Sequence, residues 1–212
     1  PISAKKGLEY LRSRKIPEKR YDDLRYCRDF SVFEQLYPKY KDVLPRDERI
    51  VVPIRNRSNE LVGVSARALH PTYLRYCICT ESDDPLIYNL ENVDINKKVY
   101  VFEGAFDSMF FDNAVAGNGS SLTKIVDFVN KNNIVFVFDN QPKNADIVKI
   151  MNKVCDGGYN MVIWPTGYED NGKDINELIQ SGIDISEIKR IIDENTYNGL
   201  KCKINLASWR RI

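Results

Sequence analysis

The chain has a single histidine, His70, among 212 residues, and it stands directly before a proline. A site built on imidazole, for metal binding or acid–base work, is thereby nearly excluded. Thiol chemistry is equally thin. The five cysteines, Cys27, Cys77, Cys79, Cys155 and Cys202, are odd in number and scattered, which argues against a disulfide framework. Cys77 and Cys79 have no second pair with which to enclose zinc. No apolar run approaches the roughly 20 residues needed to cross a bilayer, and no signal-peptide pattern opens the sequence. These absences imply a cytoplasmic protein. With 43% hydrophobic and 29% charged residues, the composition fits a globular chain of one domain or two modest ones.

The net charge of +1 conceals an asymmetry. Residues 1–75 hold 17 Lys and Arg against 10 Asp and Glu, and the remainder holds 14 against 20. One part should attract a polyanion and the other cations. In the basic part, Ala4, Leu8 and Leu11 have the spacing of an amphipathic helix over Ala4–Arg14, ended by Pro17. Lys19, Arg20, Arg25 and Arg28 then alternate with Tyr21, Tyr26 and Phe30. That mixture could hold a nucleic-acid backbone with stacked bases, but for any single residue the core and solvated face of a small subdomain is the first expectation. Residues 50–55 and 61–67 flank a polar turn and predict a hairpin. Pro53 places its strand at an edge or bulge. A third strand is expected over Tyr73–Ile78, which brings Arg55, Arg57, Arg67 and Arg75 to one small sheet suited to gripping phosphates.

Beyond a boundary near Asn96, strands and helices alternate, which predicts an α/β architecture with a mostly parallel sheet covered by helices on both faces. The domain expectation is a basic α+β subdomain over residues 1–96, a metal-binding domain over 97–194 and a C-terminal segment over 195–212. Helices are expected over Phe106–Phe111, along the apolar stripe Leu122, Ile125, Val126 and Val129, and along Ile147, Ile150, Met151 and Val154. Asp174 and Asp184 each open a capping-box pattern ahead of two final helices.

Two buried strands end in carboxylates. Val99–Phe102 runs into Glu103 and Gly104, and residues 134–138 run into Asp139. The C-terminal edge of an open parallel sheet is where ligands bind. If the two strands are neighbours, their ends lie about 5 Å apart, close enough for both carboxylates to hold one cation. Asp107 follows Glu103 by four residues and faces the same way, although it also suits the dipole of the helix it opens. Asp174 can reach the same edge from the side, but is well explained as a helix N-cap. Oxygen ligands without histidine or thiolate suit Mg²⁺ or Mn²⁺.

Glu103-Gly104-x-x-Asp107 after a strand, Ala114-Val115-Ala116 leading to Gly119-Ser120, and Asp139 after its strand together resemble the Toprim domain of DnaG-type primases, topoisomerases and certain nucleases. Lys173-Asp174-Ile175-Asn176-Glu177-Leu178 is similar to the late Lys-Asp element of primase members. The upstream strands, with residues 86–90 before the Toprim strand, resemble the basic subdomain of a primase RNA-polymerase core. Residues 139–144 most resemble primases of myovirus-type tailed phages.

The resemblance implies a Toprim-like fold and RNA primer synthesis on single-stranded DNA by metal-dependent nucleotidyl transfer, in the host cytoplasm if the protein is viral. It implies a metal set of Glu103, Asp139, Asp107, Asp174 and Gln141, the first three catalytic, with Arg55, Arg67, Arg75 and Lys143 holding nucleotide or template. Its partners would be template DNA, ribonucleoside triphosphates and a replicative helicase, with no membrane. Two positions depart from the pattern. Gln141 replaces the second aspartate of Asp-x-Asp, and Thr72 stands where a lysine is usual before Tyr73-Leu74. A zinc-binding module and a helicase link are not visible. A Toprim nuclease and a catalytically weakened DNA-binding replication accessory are the alternative readings.

Overall fold

The computed structural model describes residues 4–117 and 119–212. They group into two compact units, one ending at Asn92 and one running from Val93 to Ile212. The division falls four residues before Asn96, and residues 195–212 belong to the second unit.

In the first unit, α1 (Lys5–Ser13) buries Leu11 and leaves its lysines outside. Strands β1 (Arg25–Cys27), β2 (Arg49–Arg55), β3 (Leu61–Ala68) and β4 (Tyr76–Cys79) form an antiparallel sheet in that order. The pairing of β2 with β3 shifts register between Ile54 and Arg55, just after Pro53, whose missing N–H cannot serve the ladder. The third expected strand begins at Tyr76 rather than Tyr73. Phe30 belongs to the core with Tyr37, Val51, Val64 and Cys79, so the first of the two readings fails for that aromatic. Tyr26 donates its hydroxyl to Glu48. Arg49 is wholly buried. Its guanidinium is held bidentately by Asp47 at 2.6 and 2.8 Å, donates to the Leu74 carbonyl at 2.8 Å, and lies over the Phe30 ring. Such a buried charge is tolerable only because its donors are occupied. The short strand β5 (Ile87–Tyr88) completes the unit.

The second unit is built on strands in the order β10-β9-β8-β6-β7. Here β6 is Val99–Phe102, β7 Ala114–Gly117, β8 Ile134–Val137, β9 Asn160–Val162 and β10 Thr196–Tyr197. The first four run parallel and β10 pairs antiparallel with β9. Strands β6, β7 and β8 are apolar because they are buried. The helices are α2 (Ala105–Ser108), α3 (Ala145–Asp156), α4 (Ile175–Gln180), α5 (Ile185–Glu194) and α6 (Gly199–Trp209). Asn144, Asp174 and Asp184 cap α3, α4 and α5 through their side-chain oxygens.

Two expectations for this unit are corrected. The helix expected over Phe106–Phe111 is a single turn ending at Ser108. Leu122, Ile125 and Val126 of the stripe lie on a 3₁₀ helix, Gly119–Asp127, and not an α-helix, and Val129 follows it. With three residues per turn, Leu122 and Ile125 share the inner face, and Val126 turns outward to 36% exposure. Of the Gly117–Ser120 turn expected from sequence, Asn118 lies outside the described residues.

Candidate active site

The chain lays down β6, places β7 on one side of it, and then returns to place β8 on the other. The direction of winding thus reverses at β6, and a crevice opens at the C-terminal ends of strands flanking such a switch point. Glu103 leaves β6 at that point. Phe102 is in register with Val137, so Asp139 emerges one residue beyond the position opposite Glu103. The backbone N–H of Asp139 donates to Glu103 Oε1 at 3.0 Å, which ties the two strand ends together.

Asp107 lies on α2, and its Oδ1 accepts from the Asn176 N–H at 2.9 Å. A Cβ on Gly104 would stand 2.5 Å from Asp107 Oδ2, so glycine lets this carboxylate fold back over the turn that follows Glu103. Asp174 Oδ1 accepts from the Glu177 N–H at 2.7 Å as the α4 cap. Gln141 donates to Asp139 Oδ2 at 3.3 Å, and its own oxygen accepts from Asn144 at 2.9 Å.

The electrostatics are those of excess negative charge. Burial, then the charges of Glu103, Asp107 and Asp174, push the Asp139 carboxyl up to about 8, with Lys173 opposing them. Burial also raises Glu103, against the pull of the Asp139 N–H and Lys173. Among the described residues, no three His, Cys, Asp or Glu side chains are already drawn around one point as metal ligands would be. The neighbouring carboxylates are nevertheless close enough to raise the proton affinity of Asp139, and a hard divalent cation relieves that charge through oxygen ligands. The donor set fits Mg²⁺ or Mn²⁺ on those grounds.

The loop after β8 is held by distant residues. Trp164 Nε1 donates to the Phe138 carbonyl at 2.8 Å, and the Asn140 N–H to the Lys173 carbonyl. Trp209 Nε1, from the end of α6, donates to Asn140 Oδ1 at 3.0 Å, with both residues buried. The Arg211 N–H donates to the Pro142 carbonyl at 2.9 Å. Sequence reasoning missed Trp209 and Asn140. The available signal was Cys202, Leu206 and Trp209 at helical spacing, with an indole N–H that requires an acceptor once buried.

The basic candidates are not all brought together. In the first unit, Arg67 and Arg75 line an open groove of about 500 Å³ with Tyr10, Arg14 and Tyr73. Arg67 is buried and stacks 4.5 Å from the Tyr76 ring centroid, whereas Tyr73 is fully exposed. Arg55 lines a different recess, because the strand that carries it ends at the turn and not at the groove. Arg57 reaches the Leu90 carbonyl at 2.9 Å. In the second unit, Lys143 lines a cavity of about 610 Å³ with Gln141, Asn144, Asp170 and Arg211. Among the described residues, no helix is long and apolar enough to cross a membrane.

No protein-family profile matches the chain. It is 29% identical over 211 residues to the DNA primase of Enterobacteria phage T4, covering 97% of this chain and 60% of that protein. The chain thus spans about 60% of the length of the curated relative it matches. Its fold matches the Aquifex aeolicus primase, in a structure of the zinc-binding and RNA polymerase domains, with a TM-score of 0.67 and 19% identity over 92% of this chain and 57% of that one. It also matches a DnaG primase catalytic domain bound to single-stranded DNA, with a TM-score of 0.63 and 14% identity over 90% of this chain and 74% of that one. The chain has the α/β fold of DnaG-type primase catalytic cores and is similar in sequence to a phage DNA primase.

Proposed function

We propose that the chain is the catalytic core of a DNA primase, joining ribonucleotides into short primers on a single-stranded DNA template. The observation that carries this reading is the Glu103–Asp139 pair, bonded across two parallel strand ends at the switch point of a primase-type sheet. In this reading Glu103, Asp139 and Asp107, aided by Asp174 and Gln141, hold Mg²⁺ or Mn²⁺. When bound, the cation supplies positive charge that stabilises the nucleotide's phosphates during attack by the primer 3′-hydroxyl. The Asp139 N–H fixes one oxygen of Glu103, and Gly104 leaves room for Asp107 beside it. Arg67 and Arg75 grip phosphates in their groove, and the exposed Tyr73 ring offers a stacking platform for a base. Lys143 and Arg55 add charge for nucleotide or template. Ribonucleoside triphosphates and a replicative helicase are the partners this function requires.

Glu103→Gln removes one ligand charge at nearly constant shape. Primer synthesis should be abolished, while fluorescence anisotropy shows template binding largely intact. Normal primer yield from this variant would remove the assignment. Incubating single-stranded DNA with Mg²⁺, with and without ribonucleotides, separates synthesis from cutting by a Toprim nuclease. The neutral Gln141 side chain, already engaged with Asp139 and Asn144, favours one further reading, a DNA-binding accessory with lost catalysis. Absence of Mn²⁺ and Mg²⁺ binding in calorimetry would favour that accessory.

A further inference from the structure

In the first unit, residues 67–73 and Arg75 form one wall of the groove described above, and Tyr10 and Arg14 complete it. Leu74 is absent from that wall. Its carbonyl is bonded from the interior instead, by the buried Arg49 at 2.8 Å. The stretch that offers Tyr73 and Arg75 to solvent is thus pinned at the carbonyl between them. The two ends of this β3–β4 loop are tied by ordinary backbone bonds, Leu69 N–H to the Glu48 carbonyl at 3.0 Å and Ala68 N–H to the Arg75 carbonyl at 3.1 Å. The bond from Arg49 differs in kind, because a charged side chain from the core makes it.

The direction of that bond is fixed on several sides. Nε and Nη2 of Arg49 hold the two oxygens of Asp47 at 2.6 and 2.8 Å, Nη1 donates to the Ala66 carbonyl at 3.3 Å, and the guanidinium lies 5.4 Å from the Phe30 ring centroid. A planar fork held in this way leaves one direction for the second Nη2 hydrogen, and it points at Leu74. A lysine ammonium is a rotating point charge and cannot grip Asp47 at two points while reaching Leu74 along a set line. Stability alone does not account for the group. A buried ion pair is often no better than apolar side chains of the same volume, and the residues that follow Arg49 on β2, Ile50 to Ile54, are all apolar.

We propose that Arg49 is a positioning residue for single-stranded template: it fixes the Leu74 carbonyl and so holds the Tyr73 ring and the Arg75 guanidinium where the strand meets them. Arg49 touches no ligand itself, being wholly buried. Its effect is on affinity, because side chains already held in place lose less freedom when the strand binds. The inference rests on the template-binding role proposed above for Tyr73 and Arg75 and names the residue that makes it effective.

The test is a double-mutant cycle on the binding of a fluorescein-labelled oligodeoxythymidylate to the 212-residue chain, read by anisotropy well below the melting temperature of each variant. Two changes remove the bond to Leu74: Arg49→Lys, which keeps a charge beside Asp47, and Asp47→Asn with Arg49→Met, which leaves no charge buried alone. A loop variant, Tyr73→Ala with Arg75→Gln, removes the side chains that the bond positions. The loop variant should bind about 10-fold more weakly than the parent, and each Arg49 change should weaken the parent about 5-fold. In the loop variant the same Arg49 changes should cost less than about 2-fold, since nothing is left to place. A merely structural Arg49 would lower the melting temperature and leave this coupling at zero. Arg49 variants that bind like the parent, or that weaken the loop variant as much as they weaken the parent, refute the positioning role alone. A loop variant that binds like the parent refutes the template role of Tyr73 and Arg75, and the positioning role with it. The assignment of Glu103 is read separately, by primer synthesis.

Discussion

Replacing Asp139 by asparagine should stabilise the metal-free protein and inactivate it at once. Asp139 is held at about 8 against an ordinary 3.8, by burial first and then by Glu103, Asp107 and Asp174. The sign follows from linkage. The folded state keeps this proton to a higher pH than the unfolded chain, so stability present below pH 4 is lost as the pH rises towards 8. At 1.36 kcal/mol for each factor of ten in proton affinity, that loss is on the order of 5 kcal/mol. Asparagine has almost the same shape and can still accept from Gln141, but carries no charge. If side-chain rotation towards water relieves half of the cost, the variant gains ~2–3 kcal/mol at pH 8, which is ~5–10 °C in melting temperature for a chain of this size. Thermal melts with EDTA at pH 5.5 and pH 8 measure the gain. The parent should melt lower at pH 8, and the variant should lose most of this dependence. Mg²⁺ should restore the parent at pH 8 and leave the variant little changed. A variant that melts with the parent at pH 8, or a parent indifferent to Mg²⁺, would sink the idea that burial and the neighbouring carboxylates strain Asp139 without a cation.

Gly104→Ala places a Cβ against the Asp107 carboxylate and should force it to swing away. Stability should change by about 1 kcal/mol or less, while primer synthesis falls; unchanged synthesis would exclude Asp107 from the site. Trp209→Phe keeps the ring in the core but leaves Asn140 Oδ1 without its donor. The expected cost is ~1–3 kcal/mol, read by thermal melting, with Mn²⁺ binding weakened because the loop carrying Asp139 loses an anchor. Glu103→Gln is the remaining test, with the outcome stated above.

The part of this architecture carried by short-range pattern was readable from sequence. Apolar strands ending in Glu103 and Asp139, and aspartates opening α4 and α5, are local signals whose meaning does not depend on the rest of the chain. Their adjacency was only conditional, because strand order is set by long-range pairing. Where the outcome departed, two local geometries or two distant partners competed. Leu122 and Ile125 are spaced for either an α or a 3₁₀ helix, and only packing decides that Val126 beside them faces out. Arginines on one small sheet are close in sequence pattern, but Arg55 pairs with Leu61 at one end of the β2–β3 ladder and Arg67 with Ile50 at the other, so they line different recesses. The donors that fix the Asp139 loop come from Trp164, Trp209 and Arg211, and nothing near residues 138–142 announces them.

That last arrangement bears on the order in which the protein becomes competent during synthesis. Glu103 and Asp139 leave the ribosome well before Trp209 and Arg211, the last residues to brace the Asp139 loop. Asn140 gains its indole donor only when Trp209 has been made, and Pro142 its amide donor two residues later. At translation rates of about 5–20 residues per second, the nascent chain carries its carboxylates for several seconds before the last two of these braces exist. The last helix of the unit thus closes the lattice of hydrogen bonds around the loop that bears Asp139, and that loop gains its full set of partners only once α6 has been made.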